Sequence, residues 1–325
     1  MKVQICNKEK EYIINLMQIT QLCGVNFYIK DFIINSIYKY FSNGKYMEYE
    51  KNMEENIKIE DEKLGRNYFD IIRIKGKEDL INILKITKTG LINKYINDKI
   101  QNINFQRQLN IIDNALEEIY IKLNQNEFKN INFTYKREDL FNLIQHSTIK
   151  DIHERDLEGI KNIDLLKDFL ILIKEIQQIS PSKQMIIIEN IEHMISKDEY
   201  EKFYKQIKEL TYNFDLWFII PICIENYVCL DKEYINGINI INDIIYSLTN
   251  METIKYFIES NYPYFKKWED KELITILKLI INKIGKEEIY NIKSDVILKI
   301  FNDNLFIHSK HLETLNTLEN NFLLS

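Results

Sequence analysis

Three short, nearly continuous apolar runs stand out of a mixed chain: MQITQLC (17–23), MIIIEN (185–190) and LWFIIPICI (216–224). Isoleucine-rich runs of this length, bounded by polar residues, are the pattern of strands buried on both faces of a parallel sheet. The first two lead into helical periodicity over 31–41 and 198–210, which predicts crossover connections and an α/β core of the doubly wound kind. Pro221 belongs at a strand end or a bulge, because proline donates no ladder hydrogen bond.

Elsewhere the pattern changes. Alternation in NIKIE and FDIIRI, within 45–74, predicts antiparallel strands on the edge of that sheet. From Gly90 to about 126 there is neither proline nor further glycine, and apolar residues recur at Ile92, Ile96, Ile100 and Ile103, then Leu109, Ile112, Leu116, Ile119 and Leu123. This is helical spacing with a phase slip near Phe105. Unbroken, the helix would reach roughly 50 Å at about 1.5 Å per residue. It is expected to project as an arm and to bury its stripe against another helix, in this chain or in a second copy. FTYKRED returns the chain through a short strand at 131–135. After Tyr227 the sequence reads as several amphipathic helices. The expected organisation is a discontinuous α/β head (1–75 and 150–226), a helical leg (76–149) and a helical C-terminal extension (227–325).

Composition narrows the reading. Apolar residues make up 45% and charged residues 28%, ordinary for a globular protein. The net charge of −6 does not advertise nucleic-acid binding, although a local basic face can sit in an acidic chain. Cys6, Cys23, Cys223 and Cys229 are scattered without a metal-binding spacing, and read as reduced core thiols. His308 and His311 read as a solvated helix face. No signal peptide is recognised, and the apolar runs fall far short of the roughly 20 residues that span a bilayer. A cytoplasmic protein without membrane contact is expected.

The junction after the first run carries candidate chemistry. Against the P-loop pattern G-x-x-x-x-G-K-[ST], the chain has Gly24 and Lys30 in register, but Ile29 at the second glycine and Asp31 at the hydroxyl position. Inward-turned backbone N–H groups and a magnesium-holding hydroxyl are what a P-loop needs. A β-branched residue resists positive φ, and a carboxylate repels phosphate. In MIIIEN, Glu189 and Asn190 stand where a P-loop ATPase has Asp-Glu, and asparagine cannot act as a general base. Both motifs therefore read as degraded in the same chain, which makes ATP hydrolysis unexpected, and Lys30 is expected to pair with Glu189. Separately, Lys85, Lys88, Lys94, Lys99 and Arg107 face a single acid, Asp98, between 83 and 108. Such a stretch is a solvated face or a row of phosphate contacts that would not read sequence.

In order, the glycine turn, the edge insert ending YFDIIRI, the helical arm, FTYKREDLFNLIQ and MIIIENIEHMISKDEYEKFYKQIKELTYNFDLWFIIPI resemble the accessory adaptation protein family of type II-A CRISPR systems. The likeness covers about 1–227, and the helical tail resembles the extension of that family's large subgroup. The resemblance implies an ABC-ATPase-like head without ATPase activity, and a homotetrameric ring that threads onto double-stranded DNA ends without sequence preference. It implies spacer acquisition alongside the adaptation integrase and the RNA-guided nuclease. It also implies calcium where the leg returns to the head. Glu127, Glu138 and Asp139 are the candidates for it here, with Lys136 and Arg137 intruding. The competing readings are a divergent P-loop ATPase or nucleotidase, and a helical-arm scaffold protein.

Overall fold

A computed structural model of the chain describes residues 1–7, 10–47, 56–59, 64–88, 90–100, 103–125, 132–135, 144, 147–286, 295–307 and 317–324. Contacts divide it into two compact units. One is built from Met1–Gly76 with Ser182–Ser325, the other from Lys77–Pro181. Residues 150–181 thus group with the leg, and 227–325 with the head.

The first unit is organised on a six-stranded sheet. Its strands are β3 (Ile19–Cys23), β5 (Asp70–Ile74), β6 (Gln184–Ile188), β7 (Leu216–Pro221), β8 (Ile238–Ile241) and β9 (Ile245–Ser247), in the order β5-β6-β7-β3-β8-β9. All neighbours are parallel except β8 and β9. Every residue of β3, β6 and β8 is buried, which explains why those strands are mainly apolar without alternation. Pro221 closes β7 at its last residue.

A smaller antiparallel sheet combines β1 (Lys2–Asn7), β2 (Lys10–Asn15) and β4 (Ile57–Ile59), in the order β2-β1-β4. Helix α1 (Phe27–Phe41) shares one core with both sheets. Phe32, Ile33, Ile37 and Phe41 cluster with Leu22, Met185, Ile187 and Ile219 of the large sheet and with Val3, Ile5, Ile14 and Ile59 of the small one. Asn239, fully buried on β8, joins the two sheets. It accepts from the Asn15 backbone N–H (2.7 Å) and donates to the Asn15 carbonyl (2.9 Å).

Two expectations about this unit are corrected. NIKIE and FDIIRI do form strands, but β4 belongs to the small sheet and β5 runs parallel to β6. The segment after Tyr227 is not wholly helical, because β8 and β9 extend the large sheet. The physical reason is pairing: β8 lies parallel to β3, in register Gln21↔Ile238, and a neighbouring strand outweighs local periodicity. Helices follow β9 as α8 (Met251–Asn261), α9 (Asp270–Ile280), α10 (Asp295–Asn304) and α11 (Thr317–Leu324), the last two sharing a small core of Val296, Ile300 and Leu323. Between β6 and β7 lie α6 (Ile191–Met194) and α7 (Lys197–Asn213), the latter opened by a Ser196–Glu199 capping box.

The second unit holds α2 (Lys77–Leu84), α3 (Leu91–Ile100), α4 (Ile103–Leu123) and α5 (Asn162–Ile179), with α2 and α3 packed on α5. The described residues of the expected arm lie in α3 and α4, on either side of 101–102 and beside the slip in hydrophobic phase. Along α4, Ile112, Ile119 and Leu123 of the predicted stripe are exposed. The return segment is tied to the far end of α4. Asn124 exchanges two 2.7 Å hydrogen bonds with the Phe133 backbone, and the Tyr135 hydroxyl donates to Asp113 at 2.7 Å. Residues 132–135 make no strand, and the Phe133 backbone is paired to the Asn124 side chain and not to a ladder.

Candidate functional site

The strand–turn–helix junction is built by β3, Gly24 and α1. Gly24 has φ of +90°, and a Cβ there would come within 2.3 Å of the Ile241 carbonyl oxygen, so the end of β8 lies directly against the turn. Only glycine meets both demands. The backbone N–H groups that a phosphate would need are spent inside the chain. Gly24 N–H donates to Asn282 Oδ1 (2.8 Å), Val25 N–H to Asn242 Oδ1 (2.8 Å) and Asn26 N–H to the Ile241 carbonyl (3.1 Å). Asn26 then caps α1, its side chain accepting from Ile29 N–H at 3.1 Å.

Asn242 and Asn282 carry no motif signal, and sequence reasoning missed them. Both are buried, and Asn242 also donates to the carbonyls of Asn282 (3.1 Å) and Ile284 (2.6 Å). The trace they leave in the sequence is an asparagine inside each of two apolar stretches, INIIN and LIIN.

Lys30 is 2% exposed. Its ammonium donates to the Gly24 carbonyl (2.6 Å), the Ile222 carbonyl (3.3 Å) and Cys223 Sγ (2.7 Å), and lies 5.2 Å from the centre of the Phe27 ring. The expected Lys30–Glu189 pair does not form, because a nearer cation takes the carboxylate. Glu189 pairs with Arg73 on the adjacent strand β5, and Arg73 also donates to Asn35 Oδ1 at 2.7 Å. The carboxylate that does approach this corner is Glu192, which accepts the Cys223 N–H at 2.9 and 3.1 Å. Burial raises the Glu192 carboxyl above its ordinary value, with Lys30 opposing. Asp31 points outward and accepts from Asn35 at 2.7 Å, and Asn190 has φ of +55° and donates to the Lys75 carbonyl at 3.0 Å. Thus Gly24 and Lys30 are brought together, while Glu189 serves a different contact.

In the second unit the basic residues separate into two groups. Lys85 pairs with Glu158 (3.1 Å) and Lys99 with Glu175 (2.8 Å), whose hydrogen bond holds the Lys99 ammonium above its usual value. Lys88, Lys94 and Arg107 are exposed and make no ion pair to a described residue. The calcium candidates Glu127, Glu138 and Asp139 lie outside the described residues, and no metal-holding group of histidine, cysteine and carboxylate side chains occurs among the described ones. No described helix is long and apolar enough to cross a membrane.

A mainly parallel α/β sheet whose glycine turn is closed by its own asparagines, interrupted by an inserted helical unit, is therefore the class of molecule at hand. The family model for CRISPR-associated protein Csn2, subfamily St, matches residues 3–324, and the chain belongs to that family. A CRISPR-associated role in type II-A systems follows from that membership. Among solved structures, the crystal structure of Stu0660 of Streptococcus thermophilus is similar over 100% of this chain and 99% of that one, with a TM-score of 0.86 and 22% identity, a likeness of fold. No curated protein matches.

Proposed function

We propose that the protein is a non-catalytic, sequence-independent binder of double-stranded DNA ends that acts in spacer acquisition as a homotetrameric ring. Membership of the Csn2 family over nearly the whole chain carries this reading. The turn at Gly24 supports the absence of ATP chemistry: its N–H groups have internal acceptors, and Lys30 is committed to two carbonyls and a thiol. In this reading the head is a P-loop relic of the ABC-ATPase type. Lys88, Lys94 and Arg107 would contact phosphates, and the exposed stripe of α4 would meet a second copy. The adaptation integrase and the RNA-guided nuclease would be its partners.

A gel-shift comparison of linear and covalently closed circular DNA tests the proposal. Retention of the linear form alone is expected, and equal binding to both forms, or to neither, overturns threading. Mass in solution measured with and without calcium tests the tetramer and the part of Glu127, Glu138 and Asp139 in it.

A further inference from the structure

Neither DNA binding nor the lost nucleotide chemistry accounts for the meeting of Lys30 with Cys223. The Nζ–Sγ separation is 2.7 Å, a gap that one oxygen atom bonded to both would span. The lysine cannot swing away, because the Gly24 and Ile222 carbonyls hold its ammonium in a buried position. Cys223 is only partly buried. Glu192, hydrogen-bonded to the Cys223 backbone, places a carboxylate at the same corner to receive a proton.

We propose that Lys30 and Cys223 form an oxidation site at which a peroxide converts the pair into a covalent N–O–S bridge. The Cys223 thiol passes its proton to Glu192 and the thiolate attacks one peroxide: an S–O bond forms, the O–O bond breaks, and the proton returns to the departing hydroxide, so that sulfenic acid and water result. The Lys30 ammonium gives one proton to the Glu192 carboxylate, and the resulting amine attacks a second peroxide, giving a hydroxylamine and water. Condensation of the two hydroxyl-bearing groups loses a third water and joins nitrogen to sulfur through the remaining oxygen. Sulfur and nitrogen each lose two electrons, and each peroxide accepts two. The bridge fastens the first turn of α1 to the end of β7, and thiol reductant cleaves it at the O–S bond.

The test is peptide mass analysis of the full chain after hydrogen peroxide, with and without dithiothreitol. The expected product joins the Lys30 and Cys223 peptides with one oxygen gained and two hydrogens lost. It should disappear with dithiothreitol, be absent from Cys223→Ser and persist in Cys23→Ser. Partly exposed Cys6 is the internal control for oxidant delivery. Oxidised Cys6 with Cys223 unmodified, oxidised to sulfinic acid alone, or joined to Cys23 as a disulfide overturns the proposal. The wild-type masses decide the question even where a variant fails to fold.

Discussion

Asn242 Oδ1 accepts the Val25 backbone N–H at 2.8 Å, so a side chain contributed from more than two hundred residues downstream closes the turn after β3. Removing it leaves buried donors and acceptors unmatched. Asn242→Ala should lower stability by about 2–4 kcal/mol in urea unfolding, since several buried polar groups lose partners. For the wild type, ATP with magnesium should leave the melting temperature unchanged. A nucleotide-dependent rise would mean that the turn opens.

Arg73 and Glu189 form a nearly buried pair, with side-chain exposures of 8% and 14%. Truncating one partner strands the other charge, so Glu189→Ala should cost roughly 3 kcal/mol. Exchanging both for apolar residues of similar size should cost much less. A double-mutant cycle followed by chemical unfolding distinguishes these cases.

If the exposed cations of the second unit contact phosphate, each should add to the salt dependence of binding. Alanine at Lys88, Lys94 or Arg107 should weaken binding to linear DNA and reduce the slope of log K against log salt by about 1 each. Lys85→Ala and Lys99→Ala should have smaller effects, because those ammonium groups are already paired with Glu158 and Glu175. Unfolding free energies should stay within about 0.5 kcal/mol of wild type, as is usual for exposed charges. Unchanged slopes in all three alanine variants would move the interface elsewhere.

Asp295 opens α10 fully buried, and neither carboxylate oxygen has a hydrogen-bond partner among the described residues. Burial pushes its carboxyl up to about 6, with Lys283 pulling the other way. The folded chain therefore holds this proton more tightly than the unfolded chain. The associated stability is fully present at pH below the unfolded value and is lost as pH rises through about 6. Asp295→Asn should be close to neutral near pH 4 and more stable than wild type near pH 7.5, by roughly 1–3 kcal/mol. Urea titrations at the two pH values measure the difference.

The sequence made β3, β6 and β7 legible because strands buried on both faces have no reason to alternate, and their isoleucine runs show it. It also made Gly24 and Lys30 recognisable as a pair. The pairing of β1 with β2 is not legible, since the charged NKEKE stretch lacks the glycine or proline that punctuates most turns. β8 and β9 were hidden because INIINDIIYS fits helical spacing as well as strand spacing, and only the free edge of β3 decides between them. The partners of Lys30 were out of reach for a related reason. Two of them are a backbone carbonyl and a thiol near residue 222, and no local pattern indicates which distant strand end meets α1.

The second unit enters between β5 and β6, strands that lie side by side with Ile74 opposite Ile188. Parallel neighbours cannot be joined by a tight turn, so the chain must cross back along the sheet whatever the insert contains. To the sheet, Lys77–Pro181 is one long crossover, and the entropy of closing a loop grows only slowly with its length. Insert length is therefore nearly free to the first unit. Evolution could lengthen, shorten or exchange that segment while the pairing of β5 with β6 kept its register, provided that about 10–12 residues remained to make the crossing.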